Sequence, residues 1–198
     1  NKGGGMRFAF RFWWLFLIAS AGSWWFHVKL GWDSIHIPAV GDFTIGLWYI
    51  PLFIFVILYT AISSNETDGL DGLNAGVLLI AFTSFTFIAF MHNKVDLASF
   101  CAAVSGALLA FLWFNVYPAR FFMGDTGAIS LGTTLGVVAL LTNSVIPLFI
   151  IVALYAFESG SAGIQLMSKR FFGRKIFLAA PLYHHFEAKG WPEPKVVM

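Results

Sequence analysis

The sequence predicts an all-α, polytopic membrane protein, and two observations carry that expectation. The 198 residues are 59% hydrophobic and only 11% charged, whereas soluble domains carry roughly a quarter charged residues. The apolar surplus exceeds what a soluble core of this size can hide, so lipid must solvate much of the surface. Apolar residues also run on continuously instead of alternating, which sets a β-barrel aside. A spanning helix needs about 20 mostly apolar residues. Six stretches approach or meet that length: Phe8–Phe26, Ile45–Ser63, Leu73–Met91, Leu97–Asn115, Gly127–Leu141 and Val145–Met167. The second carries Pro51 and the fifth is short. Arg11, inside the first, lies within snorkelling reach of a helix end. One cysteine, Cys101, excludes a disulfide framework and a multi-cysteine zinc site. The formal charge of +2 gives no reason to expect a nucleic-acid partner.

Six passes return the C-terminal tail to the side of the N-terminus. That side holds Lys2, Arg7, Arg11, Arg120, Lys169, Arg170, Arg174, Lys175, Lys189 and Lys195, and the other only Lys29 and Lys94. The positive-inside rule makes the first side cytoplasmic. The whole chain, 1–198, reads as one integral membrane domain, with 168–198 a basic cytoplasmic loop.

The same topology sends three separate polar clusters to the cytoplasmic side. The first runs Asn65-Glu66-Thr67-Asp68-Gly69-Leu70-Asp71-Gly72. A helical turn through it would set Asn65, Asp68 and Asp71 on one face, suited to a polar head group or a cation; helix capping accounts for each residue singly. The second is Phe121-Phe122-Met123-Gly124-Asp125-Thr126-Gly127. Here Asp125, at a helix N-terminus between glycines, suits the sparse demand of a diphosphate-bound Mg²⁺ for one or two carboxylates. Asn115, ten residues earlier, can face the same cavity, and Phe122 can stack on a planar base. The third, Tyr183-His184-His185-Phe186-Glu187, suits phosphate binding, with Arg174 and Lys175 adding positive field; an amphipathic segment among anionic head groups is the plainer alternative for its lysines and arginines. Glu158, buried inside the last span, is expected to face other helices in a structural role.

These clusters, in this order, resemble the phospho-N-acetylmuramoyl-pentapeptide transferase family of polyprenyl-phosphate N-acetylhexosamine-1-phosphate transferases. The matching runs are Asn65 to Leu73, Phe111-Leu112-Trp113-Phe114-Asn115 with Tyr117-Pro118-Ala119, Phe122 to Gly127, and Ala180 to Glu187 with Lys189-Gly190-Trp191-Pro192-Glu193-Pro194. The resemblance implies transfer of phospho-MurNAc-pentapeptide from UDP-MurNAc-pentapeptide to undecaprenyl phosphate, giving lipid I and UMP with Mg²⁺. It implies the plasma membrane of a bacterial cell, with the site on the cytoplasmic face and a homodimer left open. Residue by residue, it implies that Asp125 holds the metal and that Asn65 and Asp68 line the nucleoside-diphosphate cleft. Asp71, Asn115 and Phe122 would meet the uracil end, and His184 and His185 the phosphate or sugar-peptide part; the catalytic set is Asp68, Asp125, His184 and His185.

Two departures stand out. Tyr183 occupies the place of the first of three histidines in the family's last motif. The family has about ten passes and an Asp-Asp pair on an earlier loop, and no Asp-Asp dipeptide occurs here. The chain is therefore expected to be the C-terminal part of a longer polypeptide, inactive alone. Three rivals stay open: a transferase of GlcNAc-1-phosphate to the same lipid, an ion-coupled transporter using intramembrane acids such as Glu158, and a non-catalytic scaffold.

Overall fold

The computed structural model describes residues 8–197; Lys2 and Arg7 of the charge count lie outside them. The first helix, α1 (Phe8–Trp24), passes into a π-helical turn at Trp25–Lys29. Two short strands follow, β1 (Ser34–Ile37) and β2 (Gly41–Thr44). They form an antiparallel hairpin with Ser34 opposite Thr44 and Ile37 opposite Gly41. This hairpin is the one departure from an all-α chain among the described residues. The backbone N–H of His36 donates to Asn143 Oδ1 at 3.0 Å, tying the hairpin to the far end of the bundle.

The bundle itself is α2 (Tyr49–Thr67), α3 (Leu73–Met91), α4 (Val95–Asn115) and α5 (Gly124–Leu141). With the 3-10 turn at Gly46–Trp48 joined to α2, these four are long and apolar enough to cross a membrane. In hydrocarbon a helix satisfies its own backbone groups, which is why such runs fold this way. α2 packs chiefly on α5, α3 on α4, and α1 against α2. Phe53, Val56, Ile57, Leu78, Phe82 and Leu135 fill the space between them. Trp13, Phe87, Met91 and Trp113 point outward, with Trp113 83% exposed. Water would not tolerate that surface; lipid does.

The sixth expected span is not one straight helix. It breaks at Val152 into α6 (Val145–Ile151) and α7 (Ala153–Phe172), which meet at 77°. Among the described residues the six expected passes thus become four full-length helices, one bent pair and the 17-residue α1. Beyond the bend, Glu158, Ser161, Gln165 and Ser168 are buried on one stripe of α7. Ser161 Oγ donates to Glu158 O of its own helix at 2.7 Å, and the other three side chains bond the segment 174–183. Gln165 Oε1 accepts from Ile176 and Phe177 N–H, both at 3.0 Å, and its Nε2 donates to Phe177 O at 2.8 Å. Ser168 Oγ donates to Arg174 O at 2.9 Å. Since α7 runs on to Phe172, the first residues of the expected 168–198 loop belong to it. Two short helices end the described chain, α8 (Leu182–Ala188) and α9 (Glu193–Val197).

α2 and α5 approach closely because Gly132 lacks a side chain. A Cβ there would lie 2.5 Å from Thr60 O and 2.8 Å from Ser64 Cβ, both parts of the α2 wall. Gly132→Ala is expected to cost about 1–3 kcal/mol by overpacking, read as a lower melting temperature in detergent. Gly106→Ala, where nothing lies within 4 Å of the new atom, is expected to be neutral or stabilising.

Candidate functional site

Three connections gather at one end of the bundle: the α2–α3 turn, the α4–α5 loop and the tail after α7. The α2–α3 turn is tight, with Asp68 just beyond the last turn of α2 and Gly72 at φ +80° before α3. Glycine suits that left-handed conformation. Because 68–72 is a turn and not a helix, the single face expected for Asn65, Asp68 and Asp71 does not form. Asn65 and Asp68 belong with Asp125, while Asp71 looks the other way. Its Oδ2 accepts the Ala119 N–H at 2.8 Å. Asn115, buried, accepts the Gly72 N–H at 3.1 Å and donates to Phe121 O at 2.7 Å. Asp71 and Asn115, expected to meet a base, thus have these polar atoms bonded to backbone, and lash the turn to the α4–α5 loop. Phe122, on that loop, stands 74% exposed.

The opposite side of the turn holds a charged knot. Asn65 Nδ2 donates to Asp125 Oδ1 at 2.9 Å. Arg11 Nη1, from α1, donates to Asp125 Oδ2 at 2.7 Å and to Asn65 Oδ1 at 3.1 Å. Asp125 lies in the first turn of α5, where the exposed N–H groups and helix dipole favour negative charge. Burial pushes the Asp68 carboxyl up to about 6 and the Asp125 charge adds to the rise, while hydrogen bonds from the Asn74 side chain and Gly124 N–H oppose it. Beneath the carboxylates, Asn74 is fully enclosed. Its Oδ1 accepts from Ser64 Oγ at 3.2 Å and from the Tyr155 hydroxyl at 2.7 Å, which joins α2, α3 and α7 under the site.

The tail closes the third side. Glu158 Oε2, from α7, accepts the Tyr183 N–H at 3.1 Å at the start of α8, so the buried acid caps a neighbouring helix. The Tyr183 hydroxyl donates to Glu66 O at 3.1 Å. Burial first, then the charges of Glu158, Glu187, Glu66 and Asp68, push that hydroxyl up to about 12, so it keeps its proton to donate. His184 Nδ1 meets Glu187 Oε2 at 2.6 Å, and His185 Nδ1 accepts the Leu178 N–H at 3.1 Å. The two histidines therefore turn to different partners, and their helix reaches the Asp68 turn through Tyr183.

Sequence reasoning missed Arg11 as the partner of Asp125, Asn74 as the joint beneath Asp68, and Tyr183 as the bridge. Asn74 carried a signal, since an amide inside an apolar span demands partners. Arg11, a charge inside the first apolar span, carried the same signal but not the identity of its partner, and Tyr183 carried none, because its partner is distant in the chain. Among the described residues no three His, Cys, Asp or Glu side chains converge as a metal cluster. A groove of about 690 Å³ opens beside the knot, between α1 and α5, lined by Leu15, Ile18, Ile129 and Thr133 with Arg11 and Asp125 at its head.

Among the described residues the site is thus a set of carboxylates and amides at one end of a bundle of membrane-span-capable helices, beside an apolar groove. The chain is a member of glycosyl transferase family 4, which it matches over residues 4–143. It is 42% identical to the phospho-N-acetylmuramoyl-pentapeptide-transferase of Clostridium perfringens strain 13 over 184 residues, covering 92% of this chain and 58% of that protein. The protein of the same name from Desulforapulum autotrophicum is 41% identical over 186 residues, covering 83% of this chain and 51% of the relative. That of Chloroflexus aurantiacus strain J-10-fl is 38% identical over 209 residues, covering 99% and 57%. The chain thus spans little more than half the length of these curated relatives.

Asp68 holds its proton to higher pH folded than unfolded, so between about pH 4 and 6 the unfolded state binds fewer protons and stability falls as pH rises. Asp68→Asn removes that penalty. It is expected to raise the melting temperature near neutral pH and to leave it unchanged around pH 4, read by thermal unfolding in detergent. An equal shift at both pH values would mean that charge is not the cause.

Proposed function

We propose that this chain is the site-bearing part of a phospho-N-acetylmuramoyl-pentapeptide transferase. The reaction passes the phosphosugar-pentapeptide of a UDP donor to undecaprenyl phosphate, on the cytoplasmic face of a bacterial plasma membrane, giving lipid I and releasing UMP. The observation that carries the reading is the contact between Asn65 and Asp125 at 2.9 Å, which unites two of the motifs on which the family resemblance rests. The likeness to proteins of that name supports the muramoyl donor over a GlcNAc-1-phosphate donor.

Two anionic phosphates must meet in this reaction, and each residue answers that requirement. Arg11 supplies positive charge at the head of the groove, within hydrogen-bond reach of Asp125. The apolar wall of Leu15, Ile18 and Ile129 gives an isoprenoid tail a path from the bilayer to the same point. The first turn of α5 offers backbone N–H groups to phosphate oxygens. Asp125 would supply one carboxylate to Mg²⁺, which takes one or two from a protein and fills its shell with phosphate and water; the Asp125 oxygens accept from Asn65 Nδ2 and Arg11 Nη1, so the ion would take the place of those donors. Bound there, the ion would neutralise phosphate charge and polarise the bond to the leaving UMP. Asp68 and Asn65 shape the cleft around the diphosphate. His184 and His185, on α8, would meet the phosphate or sugar-peptide part, and Phe122, exposed on its loop, would meet the base.

The test uses the longer polypeptide containing this chain, in membranes with undecaprenyl phosphate and Mg²⁺. It is expected to release UMP from UDP-MurNAc-pentapeptide and to form a lipid-linked sugar. Turnover of UDP-GlcNAc alone would overturn the donor assignment. Asp125→Asn is expected to reduce turnover roughly 100-fold or more while the protein still folds; wild-type rates in that variant would remove Asp125 from the metal site.

A further inference from the structure

Tyr183 connects two helix ends that the chain keeps far apart in sequence. At one end its backbone N–H, in the first turn of α8, is received by the Glu158 carboxylate at 3.1 Å. At the other its hydroxyl reaches Glu66 O at 3.1 Å, in the last turn of α2. A helix leaves its final carbonyls without intrahelical donors, and here the chain turns away at Asp68, so the Tyr183 hydroxyl serves Glu66 in place of the next turn. Tyr183 is buried, 5% exposed. Gly69 completes the seat: a Cβ on it would collide with the Tyr183 hydroxyl and ring. Leu70 and Leu73 pack on the same ring, so the turn is gripped on both sides of Gly69.

The residue next to Glu66 and Thr67 in this turn is Asp68, and the residue after Tyr183 is His184. We infer that Tyr183 is a positioning residue: by bridging the Glu66 carbonyl and filling the space over Gly69, it fixes the Asp68 carboxylate, and with it the histidine helix, against Asp125. It acts through the turn and not by touching substrate. Glu158 anchors it from the core, so the register of the site runs from α7 through Tyr183 to Asp68. The inference rests on the transferase reading for its chemistry, but the bridge itself can be measured without turnover.

The test compares Tyr183→Phe with wild type in the longer polypeptide. Phenylalanine keeps the ring and its packing and removes only the bond to Glu66. Tyr183→Phe is expected to lower kcat roughly tenfold and to lower the melting temperature slightly, as loss of one hydrogen bond does, with the donor KM essentially unchanged. Amide hydrogen exchange should rise in residues 66–72 and stay at wild-type levels in residues 95–115. Unchanged kcat with wild-type exchange overturns the inference, and so does a rise in exchange spread over the whole bundle. A raised KM at unchanged kcat also overturns it, because the hydroxyl would then be touching the donor. If the wild-type polypeptide transfers neither sugar, the proposed function fails, and the exchange measurement alone decides the bridge: a rise confined to 66–72 supports it, and no rise overturns it.

Discussion

A bundle bathed in hydrocarbon can keep ionised and hydrogen-bonding groups only where they answer one another. That constraint governs the rim of this protein. Asp125 sits between the Arg11 guanidinium and the Asn65 amide, and Asn74 beneath Asp68 is held by a serine and a tyrosine from two other helices. No member of this set is satisfied by its own element. The apolar packing of α2 on α5, made possible by the missing side chain at Gly132, brings the partners within reach. Chemistry and fold are therefore coupled: the carboxylates stand where they do because five helices contribute polar groups to the same small volume.

The tail adds a second layer of the same kind. Asp71 and Asn115 bind loop backbone, Glu193 Oε1 accepts the Asp71 N–H at 2.7 Å, and Tyr183 reaches Glu66. The α2–α3 turn is consequently held from the α4–α5 loop, from α8 and from α9 together. A short turn between two spanning helices would otherwise be free to shift its acids relative to Asp125.

The sequence showed the membrane character and the meeting of the three clusters, because both depend on runs of residue type and on which side of the bilayer a loop falls. It showed the wrong geometry for Asp71, because a three-residue spacing implies one face only inside a helix, and Gly69 and Gly72 end the helix there. It showed one span where there are two helices, because hydropathy averages over Val145–Met167 and conceals that Glu158, Ser161 and Gln165 share a buried stripe. The hairpin at Ser34–Thr44 was not visible either, being two four-residue strands with no alternation strong enough to stand out. The Tyr183 bridge depends on a partner 117 positions away, a distance at which spacing carries no information.

The stripe on α7 reads its neighbour in an unusual way. Gln165 binds the amides of Ile176 and Phe177 and a carbonyl of the latter, Ser168 a carbonyl of Arg174, and Glu158 the amide of Tyr183. Every one of these atoms is main chain, common to all amino acids apart from proline's missing hydrogen. The path of this strap is thus templated by α7 without regard to what the strap's own residues are. Arg174, Lys175, Ile176 and Leu178 are left at liberty to diversify toward the solvent or the lipid, while the route to the histidines stays the same.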